Sequence, residues 1–208
     1  NDITIKPRIF GNNKFLLQSE YRQKTKNSVT ITDFSFVKGH DSSFNDKGGT
    51  RSHFFTNSVI DLLLDDYTSS ILEINYERIS NDNYLKLFKL ESPLITEDND
   101  VLESVIKLDL EHEKYDLTTS FEMFETLSGS NSDRYQYVLP SYNLSKNFNL
   151  KNISGSFNFN TYGNNTLSET NIVTTSLSND LNYTSNNSFS DNGIKSNFEI
   201  FLKNINTV

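Results

Sequence analysis

Cysteine and tryptophan are absent from this chain of 208 residues, methionine occurs once, and proline and histidine three times each. Without cysteine there is neither a disulfide framework nor a thiolate metal site. His40, His53 and His112 stand far apart, without the spacing of metal ligands, and read as solvated residues on loops or strand ends. Apolar runs stay far below the roughly 18 residues that a membrane-spanning helix needs. The net charge of −8 argues against nucleic acid as a partner. Nucleophile-elbow, zincin, phosphate-loop and dinucleotide motifs are all missing, so no catalytic residue, cofactor or metal is expected and the chain reads as a non-enzyme. No signal peptide stands at Asn1-Asp2-Ile3-Thr4-Ile5, which is already strand-like and suggests an excised fragment.

What the chain has is alternation. Leu102, Ser104, Ile106, Leu108 and Leu110 interleave with Glu103, Val105, Lys107, Asp109 and Glu111. Successive side chains of a strand point to opposite faces, so this segment has one apolar and one charged side. Hydrophobic residues make up 35% of the chain, yet it carries 16 Phe and 10 Tyr, which sets it apart from disordered sequences. Soluble sandwiches use strands of about five to six residues. Alternating strands of about 9–11 residues are what a barrel needs to cross a bilayer.

About ten such strands are expected, in one domain covering 1–208: residues 2–10, 14–23, 27–38, 51–64, 70–79, 101–113, 115–126, 134–144, 149–162, 170–185 and the closing run 194–205. The parity change between Ile31 and Phe34 predicts a bulge near Thr32-Asp33. Residues 40–50 read as a polar loop with a turn at Gly48-Gly49, and 80–93 as irregular, with a short extended piece. Residues 128–133 form a second polar loop, and Pro140 interrupts the strand that follows it. Longer loops are the better candidates for the extracellular side of a barrel. Carboxylate sets such as Glu73/Glu77 and Glu103/Asp109/Glu111 lie at every second residue, so they read as a hydrated strand face rather than acid–base pairs.

Several segments resemble the LPS-assembly protein family, LptD, also called organic solvent tolerance proteins. Asp2-Ile3-Thr4-Ile5-Lys6-Pro7-Arg8-Ile9-Phe10 is similar to the family's D-I/L-T-I/L-x-P-R-x-F/Y strand, and Leu17-Gln18-Ser19-Glu20-Tyr21-Arg22 to its L-Q-x-E-F/Y-R strand. Asn75 to Leu85 resembles N-Y-x-x-V/I-S-D-x-x-Y-L/F, and Leu139-Pro140-Ser141-Tyr142 the later L-P-x-I/Y strand. The resemblance implies part of a large transmembrane β-barrel in the outer membrane of a Gram-negative bacterium, an all-β antiparallel meander that inserts lipopolysaccharide into the outer leaflet. Its implied partners are lipopolysaccharide, outer-membrane lipid, an LptE-like lipoprotein plug, and a periplasmic lipopolysaccharide bridge reached through a jelly-roll domain absent from this sequence. Pro7 matches a proline beside the family's lateral seam, where a missing N–H weakens strand pairing.

On this reading Gln18, Glu20, Arg22, Glu73, Glu103, Lys107 and Glu122 line the lumen, while Leu17, Leu72, Leu108 and Phe121 face lipid. Two other readings stay open. One is a porin or uptake channel, favoured by a loop folded inward with charged rings. The other is a secreted adhesin-like sandwich, whose apolar faces pack as a core.

Overall fold

A computed structural model describes residues 1–10, 14–42, 45–95, 100–128, 133–169 and 171–208. Its strands are β1 (Asp2–Phe10), β2 (Lys14–Lys24), β3 (Ser28–Ser42), β4 (Asn45–Asp61), β5 (Ser69–Ile79), β6 (Val101–His112), β7 (Tyr115–Thr126), β8 (Tyr135–Phe148), β9 (Gly155–Ser168), β10 (Ile172–Ser185), β11 (Ser188–Phe189), β12 (Lys195–Ser196) and β13 (Glu199–Thr207). One short helix, α1 (Tyr84–Phe88), interrupts them. The chain is all-β. Eleven strands form one antiparallel meander in the order β1 to β10 and then β13, while β11 and β12 make a separate two-stranded hairpin. The sheet is open: β1 and β13 are its edges, and it does not close into a barrel.

Residues directly opposite one another in the ladder share a face. One row runs Ile3, Tyr21, Thr32, Thr56, Tyr76 across β1 to β5. Another runs Ile60, Leu72, Leu108, Thr119, Tyr142, Gly163 and Leu177 across β4 to β10. Together such rows make a continuous apolar and aromatic face, on which Ile5, Phe54, Ile106, Phe121 and Leu202 are exposed. The opposite face carries rows such as Lys6, Gln18, Ser35, His53, Ile79 and Glu73, Lys107, Ser120, Ser141. It is polar.

The core lies on the polar side. Residues 80–95, between β5 and β6, fold back over the sheet and bury Tyr84, Leu85, Phe88 and Leu90 against Leu16, Val37, Phe55 and Ile79. Leu102 and Leu127 complete the cluster from the neighbouring strand ends.

The sheet's eleven strands match the eleven runs read in the sequence, while several other expectations are corrected. Pairing of β3 with β4 runs unbroken from Ser28–Ile60 to Val37–Arg51, so no bulge forms at Thr32-Asp33. Ile31 instead stays on the polar face between Arg22 and Asn57, because one misplaced apolar side chain costs less than breaking two ladders. Residues 40–50 are mostly strand rather than loop: β3 reaches Ser42, β4 starts at Asn45, and Gly49 pairs with His40. The β4–β5 turn takes Leu62, Leu63 and Leu64 out of the strand. Residues 80–93 hold a helix, with only an isolated bridge between Ser92 and Ile95. The loop at 128–133 lies largely outside the described residues. As expected, Pro140 interrupts its strand without ending it. β8 continues to Phe148, and the ladder on both sides skips a step around Leu139-Pro140, where proline has no N–H to donate.

Gly163 shows how tightly the apolar face is packed. It lies opposite Tyr142, and a Cβ there would meet the Tyr142 ring at 2.5 Å. The ring therefore covers the glycine backbone, an arrangement that pins register. Gly163→Val is expected to destabilise the fold by roughly 1–3 kcal/mol through overpacking. A double-mutant cycle with Tyr142→Ala, read by denaturant unfolding, should recover part of that loss; strictly additive effects would refute the contact.

Candidate functional site

Alternation places Gln18, Glu20, Arg22, Glu73, Glu103, Lys107 and Glu122 on the polar face together. They do not converge. Glu20 is buried and ion-paired with Arg22 on its own strand. Glu73 sits opposite Lys107, whose ammonium lies 2.8 Å from Asp109. The Glu103 backbone N–H donates to Glu77 at 3.0 Å, and Ser120 donates to Glu122 at 2.5 Å. The result is a wall of mixed charge, in which Arg22 holds the Glu20 carboxylate and Ser120 that of Glu122. Pro7 lies on the other face of edge strand β1, opposite Leu17.

The densest chemistry is a chain of buried polar groups beneath residues 80–95. The Gln18 amide donates to both Asp33 oxygens at 3.2 and 3.0 Å. Asp33 is hydrogen-bonded to His53 Nε2 at 2.5 Å, and His53 Nδ1 to Ser35 Oγ at 2.7 Å. Ser35 Oγ then meets Tyr84 Oη at 2.7 Å. Four strand residues and one helix residue thus form a single line across β2, β3, β4 and α1. Each is buried, as an interior polar group must be paired to avoid a desolvation penalty of about 1–3 kcal/mol. Gln18 Oε1 is the exception, with no partner.

Asp33, His53 and Ser35 have the composition of a nucleophilic triad. Their geometry holds rather than reacts. The Ser35 hydroxyl is 1% exposed and engaged by both His53 and Tyr84, which leaves no approach for a carbonyl carbon. His53 is therefore corrected from a solvated residue to a buried one, because residues 80–95 cover the face on which alternation places it. The His40 side chain lies outside the described residues, and His112 stacks on Tyr115 at the β6–β7 turn. Among the described residues no group of His, Asp and Glu is arranged to hold a metal ion.

Sequence reasoning also missed Glu125. By strand parity it lies on the apolar face with Phe121 and Met123, yet it is buried and ion-paired with Arg78 at 3.0 Å and Arg134 at 2.8 Å. Tyr135 donates to it as well, and Arg134 also reaches Asp82. The hydrogen bond to Asp82 is the main influence holding the Arg134 guanidinium above the ordinary arginine range. The signal available in sequence was a lone carboxylate at an apolar-parity position, close to two arginines only in space.

No protein-family model matches the chain, and no curated protein matches it significantly.

Burial is the main cause that raises the Tyr84 phenol above its ordinary 10.0, with nearby Asp33 adding to it and the Ser35 hydrogen bond opposing it. The folded state therefore retains the phenolic proton where the unfolded state has begun to lose it. Stability should fall as pH rises from about 10 upward, because the unfolded chain then binds fewer protons. Tyr84→Phe should weaken that dependence while costing about 1 kcal/mol near neutrality, measured by unfolding across pH. An unchanged alkaline slope in the variant would remove Tyr84 as its source.

Proposed function

We propose that the chain is part of an outer-membrane β-barrel of the LPS-assembly kind, with its polar face toward the lumen and its apolar face toward lipid. The observation that carries this reading is one-sidedness sustained over the whole sheet. Strands of 9 to 17 residues present exposed Ile, Leu, Phe and Tyr on one side and charged, amide and hydroxyl groups on the other. About 9–11 tilted residues suffice to cross a bilayer, so each strand of the main sheet is long enough. A sandwich needs a second layer over the apolar face, and among the described residues the eleven-stranded sheet has none. In a bilayer, lipid is that layer.

Within this reading the function is export of lipopolysaccharide to the outer leaflet, without bond chemistry, together with an LptE-like lipoprotein. The sequence segments around Pro7, Glu20, Tyr84 and Pro140 supply the lipopolysaccharide part, and the one-sided sheet supplies the barrel part. Pro7 sits in β1, an edge of the open sheet, where it removes one backbone donor from the strand that would border a seam.

One observation favours a second reading, a porin or uptake channel. Residues 80–95 fold inward over the polar face, as a constriction loop does, and bring Arg8, Lys6 and Gln18 against their backbone.

Photo-crosslinking in cells separates the two. Probes replacing Glu73, Lys107 or Glu122 are expected to capture lipopolysaccharide during active transport, while probes at Leu108 and Phe121 capture membrane lipid without that dependence. Well-expressed inward probes that never capture lipopolysaccharide would favour the channel. The membrane placement has its own check. Ile106→Arg is expected to cost about 2–4 kcal/mol of folding free energy in lipid vesicles, as arginine does at a bilayer midplane. Lys107→Arg, one residue along on the polar face, should stay within about 0.5 kcal/mol. Equal effects at the two positions would overturn the lipid-facing assignment.

A further inference from the structure

Residues 80–95 touch more than the core. The short helix α1 ends in a left-handed Lys89, and a helix end leaves carbonyls without internal partners. The Arg8 guanidinium takes two of these acceptors, donating to the carbonyls of Phe88 at 2.8 Å and Lys89 at 3.0 Å. Two residues earlier on the same strand, Lys6 donates to the Glu91 carbonyl at 3.2 Å, and Gln18 of β2 reaches that carbonyl at 3.3 Å. Phe10 packs edge-on against Phe88, ring centroids 5.6 Å apart. Every second residue from Lys6 to Phe10 on edge strand β1 is therefore half-buried by this segment, while Ile5, Pro7 and Ile9 between them are exposed. At its other end the segment is tied down by Tyr84, through Ser35, His53 and Asp33, to strands β3 and β4.

We infer that residues 80–95 are a strap that clamps edge strand β1 to the sheet, anchored on β3 and β4 by Tyr84. In this sheet β1 pairs with β2 alone, so the strap adds a second set of contacts to it. The strap supplies charge-assisted hydrogen bonds from Lys6 and Arg8, and these are worth more than neutral ones. Strap and edge strand are thus coupled: whatever lifts the strap from the polar face loosens β1, and whatever pulls β1 away loosens the strap. This deepens the barrel reading and rests on it for its consequence. In a barrel the strap lies inside the lumen, so clearing the lumen and freeing the bordering strand become one event.

Reciprocal coupling dictates the test, in which each variant is read on the far element. Amide hydrogen exchange is measured on the full chain in detergent micelles. Tyr84→Phe and Ser35→Ala cut the anchor and are read on the β1 amides, expected to exchange roughly five- to tenfold faster, as loss of about one net hydrogen bond implies. Lys6→Gln with Arg8→Gln cuts the clamp at β1, leaves the Tyr84 anchor intact, and is read on the strap amides of Leu87 and Leu90, which should accelerate similarly. Amides of the β6–β7 hairpin report intact folding and should not change. If anchor variants accelerate the strap alone and leave β1 protection as it was, the strap is only filler and the inference fails. The readout involves no lipopolysaccharide. A failure of the cross-linking experiment with coupling intact removes the export reading and leaves the strap.

Discussion

Antiparallel register is the constraint on which the structure depends. Side chains alternate with period two, so a slip of one residue in any ladder would move a whole strand's apolar set to the other face. Eleven strands remain in step, and the two ladders flanking β8 absorb their irregularity together around Pro140. The outcome is a sheet whose apolar side is continuous from Ile3 on β1 to Leu202 on β13. Apolar surface exposed across so many adjacent strands calls for an apolar medium or partner. The membrane reading follows from this physical demand more than from any single residue.

The polar side meets a different demand. Once residues 80–95 cover it, groups such as Asp33, His53 and Ser35 lose water and must satisfy one another. They do so in a line, with Asp33 accepting from Gln18 and paired to His53, and Ser35 passing the chain on to Tyr84. The line joins three strands and the segment above them, so it also fixes where that segment sits. Farther along the sheet, where no described residue covers the polar face, the carboxylates of Glu73 and Glu122 stay half-buried beside Lys107 and Ser120. Exposed pairs of this kind contribute little to stability, and their importance lies in the electrostatic character of the wall.

The two edges of the sheet differ in their support. β13 is paired with β10 and its side chains are exposed along its whole length. β1 is exposed on its apolar face but held on its polar face by Arg8, Lys6 and Phe10. On the reading proposed here, the strand beside a seam is restrained by side-chain contacts from within, rather than by its backbone ladder alone. Such contacts can be exchanged for water or ligand in a wet lumen, whereas backbone groups facing lipid have no substitute partner.

Much of this was written in the sequence. The spans of β1 and β7, the hairpin from Val101 to Thr126 and the sidedness of Gln18, Glu73 and Lys107 follow from alternation, because strand periodicity is local and needs no knowledge of neighbours. Ile31 misled for the same reason. Its local pattern favoured a bulge, while two flanking ladders held the register. What only the tertiary structure decided was the covering of the polar face. Nothing near His53 in the sequence announces burial, nor does anything near Glu125 announce its two arginines. Tyr84 reaches Ser35 across 49 positions and Lys6 reaches Glu91 across 85. The periodicity of a strand says which way a side chain points; what it meets there depends on segments that fold over it from far along the chain.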